Sequence, residues 1–243
     1  MNELLLIASL VVIYGGVMLF YRLAGTAGLY AFNVIATILA NIEVLILVEA
    51  FGMEMTLGNV LFASTFLITD ILSENHGRKA ANRAVMLGTM GAIMFVVISQ
   101  MWLLYTPGPS DWASPSFQAL FTNTPRLVIA SLLVYAVTQV FDVWLYHRWW
   151  AWTERRFGDK RRALWLRNNG STLISQLFNT VLYTLLAFGG MYTPEVLISI
   201  IASSYVIFIV TSLLDTPVVY ACRRMHDAGK AGAELSVKET TAA

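Results

Sequence analysis

The chain has 243 residues, 57% of them hydrophobic and 13% charged, with a formal net charge of +1. That balance lies outside the range of a soluble domain, and a charge so close to zero leaves no electrostatic footprint for nucleic acid. Cys222 is the only cysteine, which excludes an intrachain disulfide and any multi-cysteine metal site.

Seven apolar segments follow one another, at about 4–21, 29–51, 58–73, 84–105, 127–147, 171–191 and 195–221. Most approach the ~20 residues a helix needs to cross the hydrocarbon core. They predict an all-α integral membrane protein, one bundle of seven transmembrane helices over residues 1–223. The first segment lacks a basic start, since Asn2 and Glu3 precede it, and no small-x-small site follows before Arg22, so it reads as a retained helix rather than a signal peptide. On the second, Asn33, Thr37 and Asn41 share a face and Glu43 projects from another side. The third is short and polar at its inner end, with Asn59, Ala63, Phe66 and Asp70 on one face. The fourth carries the row Ala84, Gly88, Ala92, small residues that let helices approach closely. Packing inside the chain is the default for that row, and a homodimer stays open.

The loop 106–126 is rich in proline and reads as a connection, with a lid over an outer opening as the alternative. In the fifth segment, Ser131, Tyr135, Thr138, Gln139, Asp142 and Tyr146 fall within a sector of about 100° when projected at roughly 100° per residue. On the sixth, Asn168, Ser171, Thr172, Ser175, Gln176, Asn179 and Tyr183 share a sector of about 140°. The two segments repeat one pattern, TQVFD at 138–142 and SQLFN at 175–179. Antiparallel packing would set Gln139 near the depth of Asn179 and Asp142 near Gln176, opening both faces onto one cavity in the inner half of the membrane. The seventh adds Ser204, Thr211 and Asp215, the last just before Pro217, where a helix kink and an inner gate are both open roles. From about Arg224 the tail, 224–243, is polar and rich in Ala and Gly and is expected to be disordered.

Basic residues fix the expected orientation. Fifteen of the sixteen Lys and Arg fall in alternate connections: Arg22; Arg78, Lys79 and Arg83; seven from Arg148 to Arg167; and four from Arg223 onward, Arg126 alone standing at the mouth of the fifth span. Positive residues accumulate on the cytoplasmic side, which puts the N-terminus outside and the C-terminus inside. The basic loop 148–170 suits topology and contact with anionic lipid headgroups. Trp102 and Tyr105 toward one surface, with Trp144, Trp149, Trp150, Trp152 and Trp165 toward the other, form interfacial belts.

Lipid offers no partners for amides and carboxylates, so a dozen such groups at similar depth must face protein, water or a bound molecule. One Ser or Asn bonding a neighbouring helix needs no function, but this much capacity in one place marks a solute site. Amides present donor and acceptor together, which suits the edge of a planar polar ring, and Tyr135, Tyr146, Tyr183 and Phe66 offer faces to stack on it. The residues assigned to substrate are Asp70, Gln139, Asp142, Ser175, Gln176, Asn179, Asn41, Tyr135 and Tyr183. Those assigned to coupling or gating are Glu43, Arg167 and Asp215. Arg167 is expected to pair with Asp142 or Asp70; otherwise one acid takes a proton and couples transport to a gradient. The sequence has no HExxH, GxSxG or phosphate-binding loop, and His76, His147 and His226 all sit at or beyond cytoplasmic ends, which argues against an intramembrane enzyme and implies no cofactor or metal.

Thr69–Arg78 (TDILSENHGR), Gln139–Val143 (QVFDV), Leu164–Thr172 (LWLRNNGST), Ser175-Gln176 and Leu214–Pro217 (LDTP) together resemble the queuosine precursor transporter family, also called the vitamin uptake transporter family. The likeness runs from about Leu29 to Arg223. It implies a six-helix core, to which the first span is an addition, and uptake of 7-deazaguanine bases (7-cyano-7-deazaguanine, 7-aminomethyl-7-deazaguanine or queuine) across the bacterial inner membrane without a dedicated ATPase. The alternatives are the binding subunit of an ATPase-energised vitamin transporter, or a transporter of another small planar polar solute. Two positions depart from the family's pattern: Asn179 stands where Asp is usual, and Phe208 where a Lys is usual shortly after Tyr205. Together they remove one negative and one positive charge.

Overall fold

The computed structural model describes residues 1–122, 125–158 and 163–232, and of 53, 54 and 125–129 the backbone only. Its elements run α1 (Asn2–Glu43), β1 (Leu47–Ala50), β2 (Met53–Thr56), α2 (Gly58–His76), α3 (Arg78–Trp102), α4 (Ser114–Phe121), α5 (Pro125–Phe157), α6 (Leu164–Phe188) and α7 (Pro194–Asp227). Among the described residues the bundle is all-helical apart from one small hairpin.

The first helix is two legs. Ala24 and Gly25 leave helical geometry, Gly25 at φ 55°, and the chain folds back there. Phe20 and Phe32 meet with ring centroids 5.3 Å apart, and a Cβ on Gly16 would come within 2.8 Å of the Phe32 ring. In a straight helix residues 16 and 32 would stand about 24 Å apart. Gly28 lies so close to the turn that a Cβ would fall 2.1 Å from the Phe20 carbonyl oxygen, a position only glycine can occupy.

The second apolar segment is not helical to residue 51 as its hydropathy suggests. Its helix ends at Glu43, and Leu47–Ala50 pairs antiparallel with Met53–Thr56. Phe51 and Gly52 both take positive φ, 53° and 71°, the signature of the tight turn whose twist matches a two-residue hairpin. Asn2 Nδ2 donates to the Glu49 carbonyl at 2.8 Å and the Phe51 N–H to Glu3 Oε1 at 3.3 Å, so the hairpin shares an end of the bundle with the N-terminus.

The α2 helix is the axis. Every residue from Ala63 to Ser73 is buried, so its whole circumference faces protein. A helix placed there can carry Ser64, Thr65, Thr69 and Asp70 without exposing them to an apolar solvent. Around it pack both legs of α1 with α3, α5, α6 and α7. Among the described residues, four helices are long and apolar enough to cross a membrane: α1, α3, α6 and α7. The row Ala84, Gly88, Ala92 is buried inside the chain, where Asn33 Nδ2 donates to the Ala84 carbonyl at 2.9 Å.

The connection 106–122 holds α4, whose Phe117 and Phe121 pack on Trp102 at the end of α3. Asp111 starts it, accepting from the backbone N–H groups of Ala113 (2.8 Å) and Ser114 (3.0 Å) and from the Ser114 hydroxyl. The bonds from Ser114 and Ala113 hold its carboxyl below the usual carboxylate range. At the other end α7 continues past Arg224 to Asp227, and the Gly232 N–H donates to the Tyr21 carbonyl at 3.1 Å. The remainder of the tail, 233–243, lies outside the described residues.

Candidate solute site

A cavity of about 350 Å³ opens in the half of the bundle that carries the hairpin. Such a volume suits a small molecule, the usual range being about 300–1,000 Å³. It is lined by α1 through Thr37 and Asn41, the hairpin through Leu47 and Thr56, α2 through Asn59 and Phe62, α3 through Ala92, α5 through Ser131 and Tyr135, α6 through Asn179 and Tyr183, and α7 through Ser204 and Phe208. Ser131 Oγ donates to Asn41 Oδ1 at 2.9 Å, and Tyr135 Oη accepts from Thr37 Oγ1 at 3.2 Å and Asn33 Nδ2 at 3.4 Å. These bonds hold the polar wall in place while Phe62 sits edge-on to Tyr135, ring centroids 5.9 Å apart. Among the described residues of the loop 106–122, none lines the cavity.

The sequence assigned the cavity to the inner half and to the Gln139–Asp142–Gln176 faces. The structure separates the two. Asn41, Tyr135, Asn179 and Tyr183 line the cavity, whereas Asp70, Gln139, Asp142, Ser175 and Gln176 lie deeper, at most 1% exposed. One turn below Tyr135, Gln139 Nε2 donates to Thr65 Oγ1 at 2.5 Å and Oε1 accepts from Thr69 at 3.4 Å. The Gln139 side chain therefore turns to α2. The antiparallel register of α5 and α6 holds as expected, since Ser175 Oγ donates to Asp142 Oδ1 at 2.6 Å, which puts Gln139 opposite Phe178, near the depth of Asn179. Thr172 Oγ1 donates to Asp70 Oδ2 at 3.0 Å, tying α6 to α2.

This layer is rich in polar atoms without a protein partner. Asp70 Oδ1, Asp142 Oδ2, Thr138 Oγ1 and both side-chain heteroatoms of Gln176 are buried and unmatched. Asp215, 2% exposed, has Oδ1 in the same condition, and Glu43 sits half-buried at the end of α1, between the lining residues Asn41 and Val44. Buried polar atoms are almost always bonded, so several unmatched ones in one layer call for an explanation.

A further layer closes the column. Glu74 receives Arg167 Nη2 at 2.6 Å and Arg167 Nε at 3.0 Å, Arg223 Nη1 at 2.8 Å and Tyr146 Oη at 2.7 Å. Arg167 also lies 4.5 Å from the Trp150 ring centroid. One carboxylate of α2 thus draws together α5, α6 and α7. The expected partners of Arg167, Asp142 or Asp70, are replaced by Glu74, because Glu74 stands one turn beyond Asp70 on the same face, level with the start of α6. Trp150, read as an interfacial residue, is part of this cluster. From Tyr135 to Tyr146 the column spans about 16 Å at 1.5 Å per residue.

A family model described as "Putative vitamin uptake transporter" matches residues 56–222. The chain belongs to the vitamin uptake transporter family. A curated relative from Bacillus subtilis (strain 168), named "Probable queuosine precursor transporter", is 38% identical over 209 residues, covering 86% of this chain and 89% of its own. No solved structure matches. The chain is accordingly a transporter and not an enzyme, a multi-pass membrane protein whose ligand is a small molecule. The segments that carry the resemblance to the vitamin uptake transporters meet in the column: Asp70 and Glu74, Gln139 and Asp142, Arg167 and Thr172, and Asp215. The two departing positions, Asn179 and Phe208, both line the cavity.

Sequence reasoning missed Glu74 and Arg223 as a pair, and Thr65 and Thr69 as partners of Gln139. The signal for Glu74 was present in the i, i+4 spacing from Asp70, which puts both on one helix face.

Proposed function

We propose that this transporter imports a 7-deazaguanine queuosine precursor across the bacterial cytoplasmic membrane. On this reading the two legs of α1 and the helices α2, α3, α5, α6 and α7 make seven spans, with the N-terminus outside and the C-terminus inside. The observation that carries it is the hairpin-side cavity, walled by amides and aromatic rings and continued by a buried column of unmatched donors and acceptors. A planar base with a hydrogen-bonding edge matches both parts: the rings of Phe62 and Tyr135 stack on its faces, and Asn41, Asn59 and Asn179 meet its edge. The name of the 38% identical relative supports the same solute class.

Alternate access follows from the layers. The cavity faces outward, and the Glu74–Arg167–Arg223 cluster closes the basic, inner end. The solute moves down as that cluster parts, exchanging amides of the cavity for Gln176, Asp142 and Asp70. These carboxylates are the groups through which a proton gradient would drive the step, and Asp215 beside the Pro217 position would let α7 bend. The driving force is thus secondary, without an ATPase subunit.

The decisive experiment is uptake of labelled 7-deazaguanine bases by cells that lack their own importer and de novo synthesis. Saturable uptake dependent on this protein is the expected result. Uptake no faster than in empty cells, from protein shown to be folded in the membrane, would overturn the reading. Copurification of an ATPase module would transfer the chain to the binding-subunit alternative.

A further inference from the structure

We infer that residues 228–232 are a latch on the inner end of the transporter, a strap that must leave the break in α1 before α7 can bend. The inference rests on the outward cavity and inner closure of the proposed function and adds the element that holds the closed state.

The strap begins where α7 stops. The Gly229 N–H donates to the His226 carbonyl at 3.0 Å and the Lys230 N–H to the Met225 carbonyl at 2.9 Å, with Gly229 at φ 63°. This left-handed turn is a common way for a helix to end, and it sends the chain back across the bundle to α1. There the Gly232 N–H donates to the Tyr21 carbonyl at 3.1 Å. Tyr21 stands in the last turn before the break at Ala24 and Gly25, where carbonyls lose their intrahelical partners. The fit is backbone on backbone: a Cβ on Gly232 would lie 2.6 Å from the Ala24 nitrogen and 2.7 Å from both the Gly25 nitrogen and the Leu23 carbonyl carbon. Between the two glycines, Ala231 packs on the buried cluster that holds Val17, Tyr21, Val219 and Cys222.

Tyr21 joins the strap to the helix ends around it. Its Oη shares a hydrogen bond with His76 Nε2 at 2.9 Å and accepts from Asn75 Nδ2 at 3.2 Å. The His76 ring stands edge-on to His226 of α7, centroids 4.9 Å apart. Arg223, which clamps Glu74, lies one turn before the strap. Parting the Glu74 cluster draws this stretch of α7 away from α2, and a strap fixed to α1 opposes that movement. The hold is light, one main-chain hydrogen bond and one small apolar side chain, which shifts a two-state equilibrium about fivefold without freezing it.

The test uses two reporters in the full-length protein in lipid nanodiscs, with no solute present. One is maleimide alkylation of the native Cys222. The other is alkylation of Asn59→Cys on the cavity wall, in a Cys222→Ser background with Glu74→Gln to bring the two forms near parity. Gly232→Val drives a side chain into the α1 backbone, and Gly229→Val misdirects the strap at its left-handed turn without touching α1. Either should raise Cys222 labelling about fivefold and lower Asn59→Cys labelling about threefold, as a 1:1 equilibrium moves to 1:5. A tie that only stabilises the fold behaves differently: loosening it uncovers Cys222, on whose cluster Ala231 packs, and leaves the cavity reporter unmoved or faster. That outcome overturns the latch, as does unchanged labelling at both sites. If one variant does not fold, the other decides. Because no solute is used, failure of the latch leaves the proposed solute to its own uptake test.

Discussion

Replacing Glu74 with glutamine removes the one anion that holds three helices together at the basic end. The carboxylate is 2% exposed and accepts from Arg167, itself 0% exposed, and from Arg223, which is 15% exposed. Breaking a buried ion pair by deleting one partner costs about 3–5 kcal/mol, because the remaining charge is stranded. The low end applies here, since Arg223 keeps some water and Arg167 keeps the Trp150 ring at 4.5 Å. If the cluster exists only in the closed inner end, about 3 kcal/mol is enough to bring a 99:1 preference for closure to parity, half of the ~5.5 kcal/mol needed to invert it. The chain carries its own reporter. Cys222 is the only cysteine, is fully buried, and precedes Arg223 on α7. Glu74→Gln should therefore raise alkylation of Cys222 by a maleimide at least about tenfold and lower the unfolding temperature, with Glu74→Asp intermediate. Wild-type labelling rates together with an unchanged melting curve would refute the clamp, and with it the placing of a gate at this end.

Other variants probe other layers. Gly88→Ala brings a Cβ to 2.2 Å from Tyr135 Oη and 2.7 Å from Asn33 Nδ2, so it should destabilise the fold by ~1–3 kcal/mol as overpacking does; adding Tyr135→Phe should recover part of the loss, and strict additivity in the thermal shift would argue against the contact. Gln176→Ala removes two side-chain atoms that bond nothing in the protein, so uptake should fall severalfold with the yield of folded protein unchanged; a drop in yield alone would make Gln176 structural. Asp142→Asn keeps the acceptor that Ser175 uses yet cannot carry a proton. Uptake by that variant should become indifferent to a collapsed pH gradient, and retained dependence on the gradient would move the coupling group elsewhere.

Helical periodicity made the polar faces legible, since Tyr135, Gln139, Asp142 and Tyr146 recur at three- and four-residue steps and no other helix face could be theirs. Depth was less legible. Hydropathy treats an apolar residue in a strand and in a helix alike, so Leu47–Ala50 read as the end of a span, when Gly52 and the alternation Met53-Glu54-Met55-Thr56 mark a hairpin. That hairpin lines the cavity through Leu47 and Thr56, so the cavity lies toward its end of the bundle rather than among the Gln139, Asp142 and Gln176 faces. The ion pair eluded the sequence for a different reason. Asp70, Asp142 and Glu74 lie on two helices within about one turn of each other in depth, and which of them Arg167 meets depends on helix rotation, which periodicity alone leaves undetermined.

The distribution of charge along the column gives it a direction. Among the described residues the cavity wall itself carries no charged side chain, the middle holds carboxylates with unmatched oxygens, and the far end holds guanidinium groups clamped on Glu74. The middle carboxylates are fully buried and take no part in the cavity wall. Such buried acids are costly unless they change protonation in the working cycle, and that cost is the physical reason to look for proton coupling at Asp142 and Asp70 rather than at any group on the cavity wall.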